Sequence, residues 1–540
     1  MFPRLNEAQI GHLRSFGVEG EAQPGAVLFD IGDVLHGVFV VIRGSLDIVA
    51  VSGESETVVR VLGPGMFTGE VNQLSGRRSL VRCRAREAGV ILEISRPNLR
   101  RLMQTDVALG ELFLTAFLLR RVYLIENSVG DAILIGSSHS ADTLRLREFL
   151  TRNGHPHTYI DVERDADVQT TLDHFGVGVT DVPVLICRGD LVLRNPTNAA
   201  AAECFGLNAG ILMSTEHEKD VYDLIVVGAG PSGLAAAVYG ASEGLRLLVI
   251  ESNAPGGQAG ASSRIENYLG FPLGITGQEL TQRAFVQAEK FGAHIAVARS
   301  VRALKSKRQP YAIELDDGAT VEARSVIVAA GAQYRKLALA NLGEFEGVGV
   351  YYGATRIEAE ICRGEEVAVV GGGNSAGQAA LFLSSFAKHV HIVVRRAGLA
   401  ETMSRYLISR IEACREITVH PLTEVEALEG KGHLESVRWR DKKTGETSVC
   451  ATRHLFLMTG AEPNSSWLRG CLAMDGGAFI RTGADVGDDW KQRRPPYMLE
   501  TSLPGVFAVG DIRSGSVKRV ASAVGEGSMA VQFVHRVLAG

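Results

Sequence analysis

The sequence predicts a multidomain α/β protein: a small β-roll with helices, a compact α/β unit, and a C-terminal region of two doubly wound nucleotide folds. Three observations predict this. Residues up to about 127 alternate short β-rich runs with closely spaced glycines, and residues 131–206 switch to strand–helix alternation. Beyond residue 220, a strand–glycine loop–helix unit occurs twice. At 540 residues the chain is too long for one core and suits roughly three or four domains.

Composition removes several classes. The 46% hydrophobic and 22% charged fractions are ordinary for a globular chain, and a net charge of −5 offers no basic stripe for nucleic acid or an anionic membrane. The longest apolar runs, such as Val38-Phe39-Val40-Val41-Ile42, are too short to span a bilayer. Met1-Phe2-Pro3-Arg4 leads into a mixed polar segment, so no signal peptide is expected. The seven cysteines (Cys83, Cys187, Cys204, Cys362, Cys414, Cys450, Cys471) form no C-x-x-C pair. That spacing argues against a disulfide scaffold or a zinc site and for the cytoplasm.

In the first region, glycines from Gly25 to Gly76 punctuate short strands, which reads as a β-roll, and apolar recurrence predicts one helix over roughly 99–125. The second region reads as strands 132–135, 158–162 and 184–188 with helices 142–152 and 166–175. The polar stretch 214–220 reads as a linker.

The first nucleotide unit is the apolar strand 223–227 followed by Gly228-Ala229-Gly230-Pro231-Ser232-Gly233. The first glycine makes the turn, the second lets backbone N–H groups approach a pyrophosphate, and the third lets helix and strand pack closely. Strand 247–250 ends at Glu251, placed to accept from a ribose 2′-OH. The second unit is strand 366–370 with Gly371-Gly372-Gly373-Asn374-Ser375-Ala376. Its following strand, 390–394, ends in Arg395-Arg396, two guanidiniums able to clamp a 2′-phosphate. NADPH is therefore expected over NADH, held by Gly371, Gly373, Asn374, Ser375, Arg395 and Arg396; an exposed basic pair at a strand end is the alternative reading.

On these motifs, residues 220–540 resemble the low-molecular-weight thioredoxin reductase family. Gly256-Gly257-Gln258, Ile265-Glu266-Asn267-Tyr268, the run 326–331 ending in Gly331, Gly460-Ala461-Glu462-Pro463-Asn464, Gly510-Asp511 and Arg519-Val520-Ala521 resemble its remaining motifs, with a helix starting over 525–531. The resemblance implies Rossmann folds for FAD at 221–347 and 466–540 and for NADPH at 348–465. It implies FAD contacts at Gly228, Gly230, Pro231, Ser232, Gly233, Glu251, Gly257, Gln258, Asn267, Gly331, Gly510, Asp511, Val520 and Ala521. Hydride would pass from NADPH to FAD. The family's C-A-T-C dithiol falls where this chain has Gly353-Ala354-Thr355-Arg356, so both cysteines are replaced, by Gly353 and Arg356. Disulfide exchange needs an attacking and a resolving thiol. The nearest, Cys362, reads as a buried structural cysteine.

Residues 130–207 resemble the thioredoxin/glutaredoxin fold in degenerate form. Asp181-Val182-Pro183-Val184 matches its cis-proline, while Ser137-Ser138-His139-Ser140 stands where its redox pair would be. His139 reads as a loop histidine with no visible partner, and the unit as a docking or relay element. Residues 1–129 resemble the cyclic-nucleotide-binding domain through Gly32-Asp33, Gly44, Gly65 and a short cassette, Gly69-Glu70 to Arg78-Ser79. Gly69, Glu70, Arg78 and Ser79 would then hold a cyclic nucleotide, although Leu80 stands where that family usually has alanine; a structural or dimerising role stays open. In that family helix 99–125 would join two copies into a homodimer. The linker is 208–220.

The reading is a cytoplasmic, NADPH-dependent FAD oxidoreductase regulated by its N-terminal domain, with an unnamed electron acceptor. Two alternatives stand beside it: a disulfide reductase using other cysteines, and a non-catalytic sensor of NADPH or cyclic nucleotide.

Overall fold

The computed structural model describes all residues except 53–54, 128–131, 166–167, 189–190, 213–220, 307 and 540. The predicted linker at 214–220 and the start of the second region at Asp131 thus lie outside the described residues.

The N-terminal region is β-rich. Strands Val18–Ala22, Gly89–Ser95 and Gly37–Arg43 form one antiparallel sheet, and Val27–Phe29, Arg82–Ala85, Leu46–Ser52 and Ser55–Leu62 another. Gly44 makes one of its corners at φ +84°, where a Cβ would lie 2.8 Å from the Ala88 carbonyl oxygen. The single helix expected over 99–125 is two, Arg96–Thr105 and Val107–Glu126. Asp106 separates them: its extended backbone (φ −121°, ψ 102°) ends the first, and its carboxylate caps the second by accepting from the Leu109 N–H at 2.9 Å. Phe67, Phe113 and Phe117 are fully buried between this helix and the roll, with the Phe67 and Phe113 rings 4.1 Å apart.

The middle region is a mixed four-stranded sheet in the order Leu191–Arg194, Val184–Cys187, Ile133–Gly136, Thr158–Asp161, with helices Ala141–Arg152 and Val168–His174. The Val182–Pro183 bond is cis, as expected. The strand Leu191–Arg194 and the helix Asn198–Cys204 were not anticipated, and they correct the cysteine reading: they return Cys204 to the end of strand Val184–Cys187, where Cys187 and Cys204 are disulfide-bonded. A separation of 17 residues hid this pair, because only the hairpin and helix bring the two thiols together.

In the C-terminal region, strand Tyr222–Val227 runs parallel between Leu247–Ile250 and Thr320–Val328, and His294–Ala296 extends the sheet. Val506–Ala508 adds in parallel beside Thr320–Val328, so the end of the chain completes a sheet begun almost 300 residues earlier. Helix Val520–Leu538, which begins before the expected 525–531, packs on Pro231–Ser242. Between these halves lies a second, wholly parallel sheet, ordered Val350–Tyr351, His454–Leu457, Glu366–Val370, His389–Val393, Ile417–His420. An antiparallel meander, Thr423–Glu429, Ser436–Asp441 and Thr447–Cys450, accompanies it. One apolar cluster runs from the N-terminal region (Phe113) through the middle (Phe149, Phe205) into the C-terminal region (Phe285, Phe507). Among the described residues, no helix is long and apolar enough to cross a membrane.

Candidate active site

The two glycine loops divide their labour identically. Gly228 (φ +104°) and Gly371 (φ +147°) lie against the backbone carbonyls of Ala329 and Met458, so a Cβ at either would overlap backbone. Gly233 is pressed on the Gly228 carbonyl, and its counterpart Ala376 is fully buried. The middle glycines differ. A Cβ on Gly230 would meet only the Gly257 Cα at 3.9 Å, and one on Gly373 would meet nothing within 4 Å. Each loop thus presents an open cradle at the N-terminus of a helix, Pro231–Ser242 or Asn374–Leu383, where unpaired backbone N–H groups favour a pyrophosphate. The residues present fit two dinucleotides, and both cradles open onto one cavity of about 1660 Å³.

Of the FAD contacts expected, Gly228, Gly230, Pro231, Ser232, Glu251, Gly257, Gln258, Asn267, Gly331, Asp511 and Val520 line this cavity. Gly233, Gly510 and Ala521 do not. Gly233 packs helix against strand, Gly510 donates its N–H to Glu526 Oε2 at 2.7 Å, and Ala521 is exposed on the first turn of its helix. Glu251 is buried at the cavity wall, and its carboxylate accepts the Ala229 N–H at 2.7 Å and the Asn253 N–H at 2.9 Å. It fixes the loop from below, while burial pushes its pKa up. Burial likewise raises that of Asp511, against the opposing charge of Lys518, whose Nζ donates to the Asp511 carbonyl at 2.7 Å.

All six residues expected to hold NADPH line the cavity. They are not equivalent. Arg396 donates to Glu401 at 2.7 Å, whereas Arg395 has no ion-pair partner among the described residues. Asn374 Oδ1 accepts the Ser404 N–H at 2.7 Å, so its carbonyl side supports the loop.

Where a dithiol would stand, Gly353 and Thr355 reach the cavity, and no cysteine lines it. Arg356 points away, its side chain 87% exposed, 4.0 Å from Glu360. Thr355 caps helix Arg356–Ile361 in a capping box with Glu358. Cys362 is fully buried beyond that helix, and burial pushes its thiol up to about 12. It supplies no thiolate near neutral pH.

Sequence reasoning missed one wall. Ala141, Leu144, Arg145, Glu148 and Arg152, all from the middle region's helix, line the same cavity. Arg152 Nη2 donates to the Gly257 carbonyl at 2.9 Å, and Leu144 packs with Tyr351, Ala354 and Ile357. The amphipathic pattern of this helix marks a packed face but not its partner. His139, expected to be alone, lies 3.6 Å from Glu163, which also accepts from Ser137.

In the N-terminal cassette the predicted groups are engaged internally. Glu70, 8% exposed, sits 3.4 Å from Arg121; Arg78 donates to the Gly32 carbonyl at 3.0 Å; Ser79 donates to the Val81 carbonyl at 2.7 Å; and the Gly69 carbonyl accepts from Arg120 at 2.7 Å. Arg77, not singled out from sequence, is buried. It stacks on Phe285 at 4.9 Å and is held beside Glu289, whose pKa burial pushes up to about 7.

Comparison with known proteins gives the same geometry a family. Residues 222–527, more than half of the chain, match the family model described as pyridine nucleotide-disulphide oxidoreductase, and residues 19–106 match that of the cyclic nucleotide-binding domain. The chain is 34% identical over 319 residues to the thioredoxin reductase of Bacillus subtilis (strain 168), covering 59% of this chain and 95% of that protein. It is 31% identical over 362 residues to NADPH-dependent thioredoxin reductase 3 of Arabidopsis thaliana, so the match spans 65% of that protein and 65% of this chain. The solved thioredoxin reductases of Lactococcus lactis and T. acidophilum each align with TM-score 0.54 at 29% identity, covering 59% and 60% of this chain and 99% and 100% of theirs.

Proposed function

The chain belongs to the pyridine nucleotide-disulphide oxidoreductase family, and from that premise we propose an NADPH-dependent FAD oxidoreductase that passes electrons to a small acceptor without a protein dithiol. The observation that carries this reading is the single cavity joining both open glycine cradles with no cysteine on its wall. When bound, the two cofactors supply the hydride transfer itself. The chain's part is positioning. The Gly230 and Gly373 cradles hold the pyrophosphates, Arg395 meets the 2′-phosphate, and Glu251 keeps the first loop in shape. Helix Ala141–Arg152 stands against the segment that replaces the dithiol, which favours an acceptor small enough to enter the cavity over a docked protein.

Anaerobic titration with NADPH tests this reading. The flavin absorbance is expected to bleach at one equivalent, while thioredoxin stimulates no NADPH oxidation. Thioredoxin-dependent turnover that disappears in Cys362→Ser would instead establish a disulfide reductase. Failure of the flavin to bleach would leave a cofactor-binding sensor.

The N-terminal region is proposed to regulate this centre. Arg77, within the cassette, grips Phe285 and Glu289 of helix Gly277–Phe291, and Thr281 of that helix packs against Gly256 of the flavin loop. A cyclic nucleotide entering the cassette must part Glu70 from Arg121. It is expected to change the rate of NADPH-driven flavin reduction, and Arg78→Ala to abolish the change. Exposed Leu119, Val122 and Ile125 on one face of helix Val107–Glu126 support a homodimer through that helix. Leu119→Asp with Val122→Asp is expected to halve the mass measured by light scattering.

A further inference from the structure

Outside the nucleotide cavity, the second parallel sheet and its meander bring together three side chains of different chemistry. Glu366 begins strand Glu366–Val370, His391 lies in the adjacent strand His389–Val393, and Cys450 ends the meander strand Thr447–Cys450. One ligand atom from each lies within 4.8 Å of the others. We propose that Glu366, His391 and Cys450 form a binding site for a zinc-class divalent cation, clamping the meander to the parallel sheet.

The ligand set selects the ion. A thiolate, an imidazole and a carboxylate together suit a borderline-soft cation such as Zn²⁺ and are a poor match for Ca²⁺ or Mg²⁺, which take oxygen alone. The imidazole is already oriented for the task. His391 Nδ1 lies 3.0 Å from His420 Nε2, and Trp439 packs against both rings at 5.8 and 5.3 Å. With Nδ1–H donating to His420, the His391 Nε2 lone pair faces the proposed ion, the arrangement by which an outer imidazole fixes a ligand's tautomer. That Nε2 is buried and makes no well-directed hydrogen bond, and Glu366 Oε2 lies 3.5 Å from it. A cation between them satisfies both.

The remaining atoms leave room for it. Glu366 Oε1 is 3.4 Å from Lys388 Nζ, so Oε2 is the oxygen free to coordinate. Cys450 is 7% exposed, whereas the Glu366 side chain is 35% exposed. Metal–ligand bonds of about 2.0–2.3 Å require ligand atoms lying within 4.8 Å of one another to draw together by roughly 1 Å, through small rotations of the Cys450 and Glu366 side chains. Binding releases the Cys450 thiol proton to solvent, and the fourth position falls to water on the open side. The site has no local spacing by which it could be read from the sequence: its ligands come from three strands spread over 85 residues.

The test uses the full FAD-loaded chain, stripped with a chelator and titrated with Zn²⁺ by calorimetry, then read by X-ray absorption at the zinc edge. One ion per chain is expected, with one sulfur and the rest nitrogen or oxygen in its shell. His391→Ala and Cys450→Ser should each weaken binding by about ten-fold or more, and Glu366→Gln, at a partly exposed position that tolerates the change, by a similar factor. Flavin content and melting temperature of each variant without zinc establish that it is folded. Absence of stoichiometric binding, a shell without sulfur, or affinity unchanged in Glu366→Gln and His391→Ala overturns the proposal. Wild-type-like NADPH titration of the stripped protein is expected, so this site stands or falls independently of the flavin reading.

Discussion

Arg395→Ala separates a phosphate clamp from an ornamental basic pair. Arg395 and Arg396 follow the second strand of the NADPH-side sheet, but Arg396 is already committed to Glu401 at 2.7 Å, while Arg395 has no ion-pair partner among the described residues. A charge-assisted hydrogen bond contributes about 1.5–3 kcal/mol net, and the exposed position of Arg395 puts it at the lower end. About 1.5 kcal/mol corresponds to roughly a ten-fold change in affinity. Steady-state kinetics with ferricyanide as acceptor should therefore show the KM for NADPH rising about ten-fold in Arg395→Ala, with kcat and the KM for NADH nearly unchanged. Arg396→Ala should do less, because the charge of Arg396 is already paired with Glu401. Equal losses with both nucleotides, or no change with NADPH, would refute the assignment of the 2′-phosphate to Arg395.

Three other substitutions probe the scaffold and the first cradle. Glu289 titrates at about 7 in the folded chain against an ordinary 4.5, with burial outweighing Arg77, Arg100 and Arg121, and Glu70 adding to the shift. A raised carboxyl pKa means that the folded state holds the extra proton, so stability falls as pH rises from about 4.5 to 7. The total is about 3 kcal/mol; denaturant unfolding of Glu289→Gln at pH 5 and pH 8 should lose most of that slope, and an unchanged slope would refute the buried titration. In the first glycine loop, Gly233→Ala drives a Cβ into the Gly228 carbonyl and should lower stability by about 1–3 kcal/mol, while Gly230→Ala points into the cradle and should keep the apoprotein's melting temperature but lose FAD. Similar melting losses in both would show that the two glycines do not divide packing from cofactor binding.

Both nucleotide folds, and the Gly353-Ala354-Thr355-Arg356 segment where the family resemblance expects a dithiol, were legible in the chain's local pattern. Each depends on features local in the chain: an apolar strand, glycines whose backbone angles and close contacts other residues cannot meet, and the identity of residues 353 and 356. The acidic residue after the first loop was legible too, though not that its carboxylate grips the loop's own N–H groups. What surrounds those loops was set by tertiary packing. The division of the expected helix at Asp106 turned on one extended residue inside a continuous apolar pattern. The Cys187–Cys204 bond, the wall built by helix Ala141–Arg152, the Arg77–Glu289 contact and the Glu366–His391–Cys450 cluster each join residues distant in sequence. Periodicity reports which face of an element is apolar and hidden; what lies against that face follows from how the sheets and helices pack, and that information is carried by the whole chain at once.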